Sequence, residues 1–253
     1  FKGEIADASF AKLHDGVIKF MRKSNFQDFT AALRSAGFVS SSIIGSKGAV
    51  NFAYNLYLTL REDVSVPSTD VKRWVQRWYV MSTLTGRYSG SSESIMDRDM
   101  RRISEQGFIP FYNEIAASQL SDNFWEVTLP QSLVTTSVRT GAWMVYVASQ
   151  VRSAGNTLFT NGFKVADVVG NVGDIHHIFP KAYLRKAIDA PQRLYNQIAN
   201  YTYLEKRINI AIGEMRPGEY FTKAREAIAA EDNYFGDIAT EVDLIANLKA
   251  NCI

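Results

Sequence analysis

Apolar residues at helical spacing run through most of the first 155 positions, and that periodicity restricts the fold more than any other feature. The clearest case is "STDVKRWVQRWYVMSTLTG", residues 68–86. Val71, Trp74, Val75 and Trp78 recur at the three- and four-residue steps of one buried helix stripe, while Lys72, Arg73, Gln76 and Arg77 fill the other face. Ser68 or Thr69 follows Pro67 as a candidate cap, and Gly86 is placed to end the run. "FAKLHDGVIKFMRK", "GAVNFAYNLYLTLRED", "ESIMDRDMRRISEQ" and "TGAWMVYVASQVR" carry the same spacing. The expectation is a helical body over residues 1–155 whose apolar stripes form its core. His14, inside the first helix without an acidic or histidine partner at metal spacing, reads as structural.

The texture changes after Arg152. "SAGNTLFTNGFKVADVVGNVGD" is rich in Gly and Asn with short β-branched runs, the mark of loop with one or two short strands. "IHHIF" and "ANYTYL" are each short enough to be a strand. Between them the pattern predicts a helical stretch over 181–198, broken near Pro191. "EKRINIAIGEM" predicts a helix ending before Pro217, and Pro217 suits the first turn of the next. The fold class expected is mainly α with a small α+β unit over 156–225, followed by an acidic helical tail over 226–253 packed on the body.

Charge divides along the same lines. From His176 to Arg225 nine Lys and Arg face four Asp and Glu, whereas from Glu226 onward six acids face Lys249 alone. A basic block permits a phosphate-rich partner; two solvated faces that pair with each other are the plain alternative. The single cysteine, Cys252, excludes an internal disulfide and metal knuckles built from Cys pairs. No run approaches the ~20 apolar residues of a membrane span, and no charged-then-apolar leader opens the chain. A cytoplasmic setting follows as the default, and the absence of an initiator Met suggests a piece of a longer protein.

Two of the three histidines, His176 and His177, are adjacent. Imidazole titrates near neutrality and ligates metals, so the pair suggests a base, a ligand, or both. A strand with one histidine buried and hydrogen-bonded and the other wet is the structural alternative. Asp174 supplies a carboxylate two residues before His176, and Asn200 and Asn209 follow. His and Asn without thiolate make a mixed N/O set suited to Mg²⁺ or Mn²⁺ rather than structural zinc. Successive residues of a strand point to opposite faces, so both histidines can face one site only where the strand ends. Pro180 is compatible with such an end.

At these residues the chain resembles the HNH, or ββα-metal, nucleases: Asp174, His176, His177, Pro180, Asn200 and Asn209 follow their pattern. More narrowly, "DIHHIFPKAYL", "IANYTYLEKRIN" and "RPGEYF" resemble the C-terminal half of the GmrSD-like restriction proteins, bacterial anti-phage enzymes that include the phosphorothioate-sensing SspE group. "LTGRYSGSSESIMDRDMRRI" is similar to the helical segment that precedes the nuclease there, so the resemblance covers about residues 45–225.

The resemblance implies a metal-dependent DNA endonuclease. His177 would be the general base and Asn200 the residue that holds the loop and orients it. His176 and Asn209 would be protein ligands of one divalent cation, Mg²⁺ or Mn²⁺ foremost with Ni²⁺ also able to serve, and Asp174 an outer-sphere group or a further ligand. It also implies an N-terminal, nucleotide-hydrolysing, ParB-like partner domain, of which these residues hold no counterpart. DNA is the expected partner, through its phosphate backbone. Lys181, Arg185, Lys206 and Arg207 lie near enough in sequence to line its path. "GRYSGSSES" with Arg87, Arg98, Arg101 and Arg102 offers a second phosphate-holding surface, or simply a serine-capped helix start. The alternative is a catalytically silent DNA-binding or protein-interaction module with an HNH-like fold.

Overall fold

The computed structural model describes residues 2–90, 92–170 and 175–253. Among the described residues the chain is mainly helical, with one small two-stranded sheet. It divides into two compact units, residues 1–36 with 46–121 and residues 37–45 with 122–253. Among the described residues no helix is long and apolar enough to cross a membrane.

The first unit holds α1 (Lys2–Met21), α2 (Lys23–Ser35), α3 (Lys47–Glu62), α4 (Ser68–Leu84), α5 (Ser92–Gln106) and α6 (Phe108–Gln119). The α4 stripe packs as its spacing demands. Val71, Val75 and Trp78 are buried, and the Trp78 indole lies 5.5 Å from the Phe52 ring and 5.2 Å from that of Phe111. Burial of side chains of this size contributes about 1.5–3 kcal/mol each. Two details differ from the sequence reading. Neither Ser68 nor Thr69 caps α4; its N-cap position is Pro67, without a side-chain hydrogen bond. Gln76 is not a free surface residue, because its amide donates to Ala32 O at the end of α2, at 2.8 Å.

The end of α4 explains why Gly86 is where it is. Arg87 N–H donates to Ser82 O (3.0 Å) and Gly86 N–H to Thr83 O (3.3 Å), with Gly86 at φ +65°. This is a Schellman closure, which needs a left-handed residue that glycine adopts without strain. The closure turns the chain so that Arg87 and Tyr88 point inward rather than along the helix.

The second unit carries a π turn (Phe124–Thr128) and then α7 (Leu129–Ser132), α8 (Gly141–Arg152), α9 (Val165–Gly170), β1 (Ile175–His177), α10 (Lys181–Ile188), α11 (Gln192–Tyr195), β2 (Tyr201–Tyr203), α12 (Lys206–Ile212), α13 (Pro217–Ala229) and α14 (Glu241–Ala250). The boundary expected at residue 155 falls inside this unit. The reason is local: Ile198 N–H donates to Thr135 O at 2.8 Å, and Trp143 of α8 packs on Tyr201 and Tyr203 of β2. In the Gly- and Asn-rich segment the expected strands reduce to isolated bridges, Asn156 with Lys164 and Leu158 with Leu204. The run beginning at Val165 is helical.

Leu158, Phe159, Leu204, Ile208, Ile212 and Tyr220 lead the core under the sheet. Gly236 at φ +116° lies against Phe159, where a Cβ would come within 1.9 Å of the Phe159 carbonyl oxygen. The acidic tail meets the same core through α14. Asn247 accepts from Phe159 N–H (2.9 Å) and donates to Thr157 O and Thr160 O. Asn251 accepts from the Thr202 hydroxyl on β2, and Gln150 of α8 donates to Ala250 O.

Candidate metal and proton-transfer site

The sheet sets the geometry. β1 and β2 run antiparallel, pairing Ile175 with Tyr203, His176 with Thr202 and His177 with Tyr201. Aromatic and β-branched residues suit such a strand pair, and all of β2 is buried. α12 follows β2 directly. Its Ile208 and Ile212, one turn apart, anchor it in the core, and Asn209, beside Ile208, is only half-buried.

Strand alternation separates the two histidines. His176 is 3% exposed, and its Nδ1 lies 2.6 Å from Asn209 Oδ1. His177 is half-buried, with Nε2 2.9 Å from Asn196 Oδ1 and the Tyr201 ring 5.0 Å away at 73°. β1 does end at His177, as the sequence required for a shared site, yet the two rings take different partners. Burial lowers the His176 pKa from 6.5 to about 4, opposed by the Asn209 hydrogen bond and aided slightly by His177. The ring is therefore neutral at pH 7, the form a metal ligand needs. His176 Nε2 is buried without a hydrogen-bond partner, and the Tyr220 ring stands edge-on 6.3 Å from the imidazole.

Asn200 acts as a clamp. Its main-chain oxygen accepts from Ile178 N–H (2.9 Å) and its Oδ1 from Phe179 N–H (2.8 Å). Its Nδ2 donates to Phe179 O (3.1 Å) and Tyr195 O (3.0 Å). From the other side the Tyr220 hydroxyl donates to Ile178 O at 2.6 Å. The backbone that leaves His177 is thus held from the turn just before β2 and from α13. Pro180, buried, then starts α10.

Asp174 lies outside the described residues. Among those described, no three His, Cys, Asp or Glu side chains cluster as a metal site. The donor set on hand is one imidazole nitrogen and one amide oxygen, both neutral and drawn from separate elements. Asn209 Oδ1 accepts from His176 Nδ1, so that nitrogen carries the ring hydrogen and the imidazole lone pair lies on the buried Nε2. Both oxygen and nitrogen are donor types that suit a hard divalent cation once that hydrogen bond opens. His14 stands apart, exposed on α1 beside Asp15.

The basic residues sort differently. Lys181 and Arg185, one turn apart on α10, are exposed, as is Lys206. Arg207 donates to Asn233 O and Tyr234 O, both at 2.9 Å, and so ties α12 to the short turn beyond α13 rather than standing free. In the first unit Arg87 is buried in a two-pronged pair with Asp99 at 2.6 and 2.7 Å, which Tyr88 joins through its hydroxyl at 2.9 Å. Burial, and then the Asp99 charge, raise the Tyr88 pKa. Arg87 is therefore a scaffold residue, with no open face for a phosphate. Arg101 pairs with Asp97 one turn away, Arg102 pairs with Glu114 and lies over the Phe111 ring, and Arg98 reaches 4.0 Å from Asp99. The Ser89 hydroxyl is spent on Gly86 O.

Two residues of the site were missed in the sequence. Tyr220 lay unremarked inside "RPGEYF". Asn196 carries no local signal, since only the fold brings it to His177.

No family model matches the chain, and no solved structure matches it. An uncharacterised protein of Methanocaldococcus jannaschii is 27% identical to it over 172 residues, covering 63% of this chain and 26% of that protein. The chain therefore spans about a quarter of the length of the curated relative it matches.

Proposed function

We propose that this chain is a metal-dependent DNA endonuclease of the HNH, ββα-metal type, the effector part of a restriction or anti-phage protein. The observation that carries the reading is the approach of Asn209, on the helix after β2, to His176 on β1, 2.6 Å between Oδ1 and Nδ1. Beside it the next histidine is half-buried, and Asn200 clamps the chain after it.

In this reading His176 and Asn209 would hold one Mg²⁺ or Mn²⁺, giving up their mutual hydrogen bond for the cation. A cation there would supply electrostatic stabilisation of the charge that develops as the phosphodiester breaks. His177 takes a proton from the attacking water, a task neutral imidazole performs near pH 7. Asn200 and Tyr220 keep the His177 backbone still while it does so. Lys181, Arg185 and Lys206 offer exposed cations to the DNA backbone.

A second reading, a silent DNA-binding or interaction module, is favoured by the burial of His176 and its satisfied Nδ1, the pattern of a core histidine. Supercoiled plasmid incubated with Mg²⁺, Mn²⁺ or EDTA separates the two. The nuclease reading expects nicking with metal, none with EDTA, and a loss of ~10²-fold in His177→Ala. Nicking absent with either metal, or indifferent to His177→Ala, would overturn it.

A further inference from the structure

The second partner of the histidine pair has a consequence for the chemistry. Asn196 Oδ1 lies 2.9 Å from His177 Nε2. An amide oxygen only accepts, so the ring nitrogen facing it carries the hydrogen. In a neutral imidazole the other nitrogen, Nδ1, then keeps its lone pair. No hydrogen bond reaches Nδ1 among the described residues.

Asn196 is itself held. It ends α11, and its N–H donates to Gln192 O at 3.0 Å. The residue before it, Tyr195, accepts from Asn200 Nδ2 (3.0 Å), and that same Nδ2 also donates to Phe179 O (3.1 Å) two residues beyond His177. One side chain therefore braces both ends of the His177–Asn196 bond. The Tyr201 ring packs against the imidazole and limits its rotation.

We propose that Asn196 is a positioning residue that fixes His177 as the Nε2–H tautomer and so makes Nδ1 the nitrogen that serves as base. The catalytic half of this proposal rests on the nuclease reading above. The water oxygen bonds phosphorus as its proton passes to Nδ1. The P–O3′ bond breaks with its electron pair on O3′, O3′ takes a proton from solvent, and Nδ1 returns its own to solvent. An Nε2 that already donates to Asn196 has no lone pair for this step.

Nitrogen-15 spectra of the His177 ring, recorded without metal or DNA, test the first half, and plasmid nicking tests the second. The neutral ring of the wild type should show a protonated Nε2 and an unprotonated Nδ1. Asn196→Asp should keep that tautomer, because a carboxylate also only accepts, and should nick within a few-fold of wild type. Asn196→Leu should show mixed tautomers and lose about 10- to 100-fold in kcat, with little change in KM, the usual scale for a partner that orients a reacting group. A wild-type ring protonated at Nδ1, or a tautomer switch in Asn196→Asp, would mean that the Asn196 amide donates, and the proposal falls. So would an Asn196→Leu protein with wild-type spectrum and rate. A wild type with the Nε2–H spectrum that nicks no DNA overturns the nuclease reading and the role of Nδ1, while the tautomer assignment stands.

Discussion

His176 Nδ1 and Asn209 Oδ1 approach to 2.6 Å, joining β1 to α12 across the one sheet described in the chain. Both groups are neutral at pH 7, since burial holds the imidazole pKa down at about 4. Among the described residues, the groups around the ring are Asn209 from α12, Tyr220 from α13, Thr202 opposite on β2, and His177 beside it. None of them carries a negative charge that could receive a buried imidazolium.

That arrangement makes the fold sensitive to acid in a defined window. The unfolded His176 takes its proton near pH 6.5 and the folded one near 4, so between those values the unfolded chain binds more protons. The stabilisation is complete above pH 6.5 and is lost as pH falls toward 4, about 3 kcal/mol in all. Urea midpoints of the metal-free protein at several pH values should fall across this window, and His176→Asn should flatten the fall. Equal slopes for the two proteins would show that His176 is not a buried neutral ring.

Arg87 and Asp99 make a test of the first unit. Both are nearly inaccessible, with side-chain exposures of 7% and 0%. Asp99→Ala leaves a buried guanidinium without its partner and Tyr88 without its acceptor, and should destabilise by about 3–5 kcal/mol in urea unfolding. Arg87→Met with Asp99→Leu should recover most of that loss, because replacing both charges removes the desolvation cost as well. A single substitution costing under ~1 kcal/mol would contradict the buried pair.

DNA affinity should follow the exposed cations that no ion pair engages rather than the number of arginines. Lys181→Ala with Arg185→Ala should reduce the slope of log affinity against log salt by up to about two, one for each phosphate left without its cation. Arg101→Ala with Arg102→Ala should leave the slope unchanged, since those side chains are engaged with Asp97 and Glu114. Titrations of labelled duplex at several salt concentrations measure both. A flattened slope only in the second pair would move the DNA path to the first unit.

Local pattern determines much of this protein without reference to tertiary contacts. The α4 stripe, the two short strands, the break near Pro191 and the helix opening at Pro217 are legible because spacing and backbone restriction act within a few residues. The adjacency of His176 and His177, with Asn200 and Asn209 following, marked the candidate site on the same ground. Their partners were decided by the tertiary structure. Alternation along β1 sends the two rings to Asn209 and Asn196, and the Schellman turn at Gly86 carries Arg87 inward to Asp99 rather than outward to solvent. The α11 turn and β2, not any spacing in the chain, bring Asn196 to His177, and α13 brings Tyr220 to Ile178. Periodicity constrains which face of an element is buried, but a hydrogen bond between side chains far apart in sequence depends on where the packed core sets whole elements.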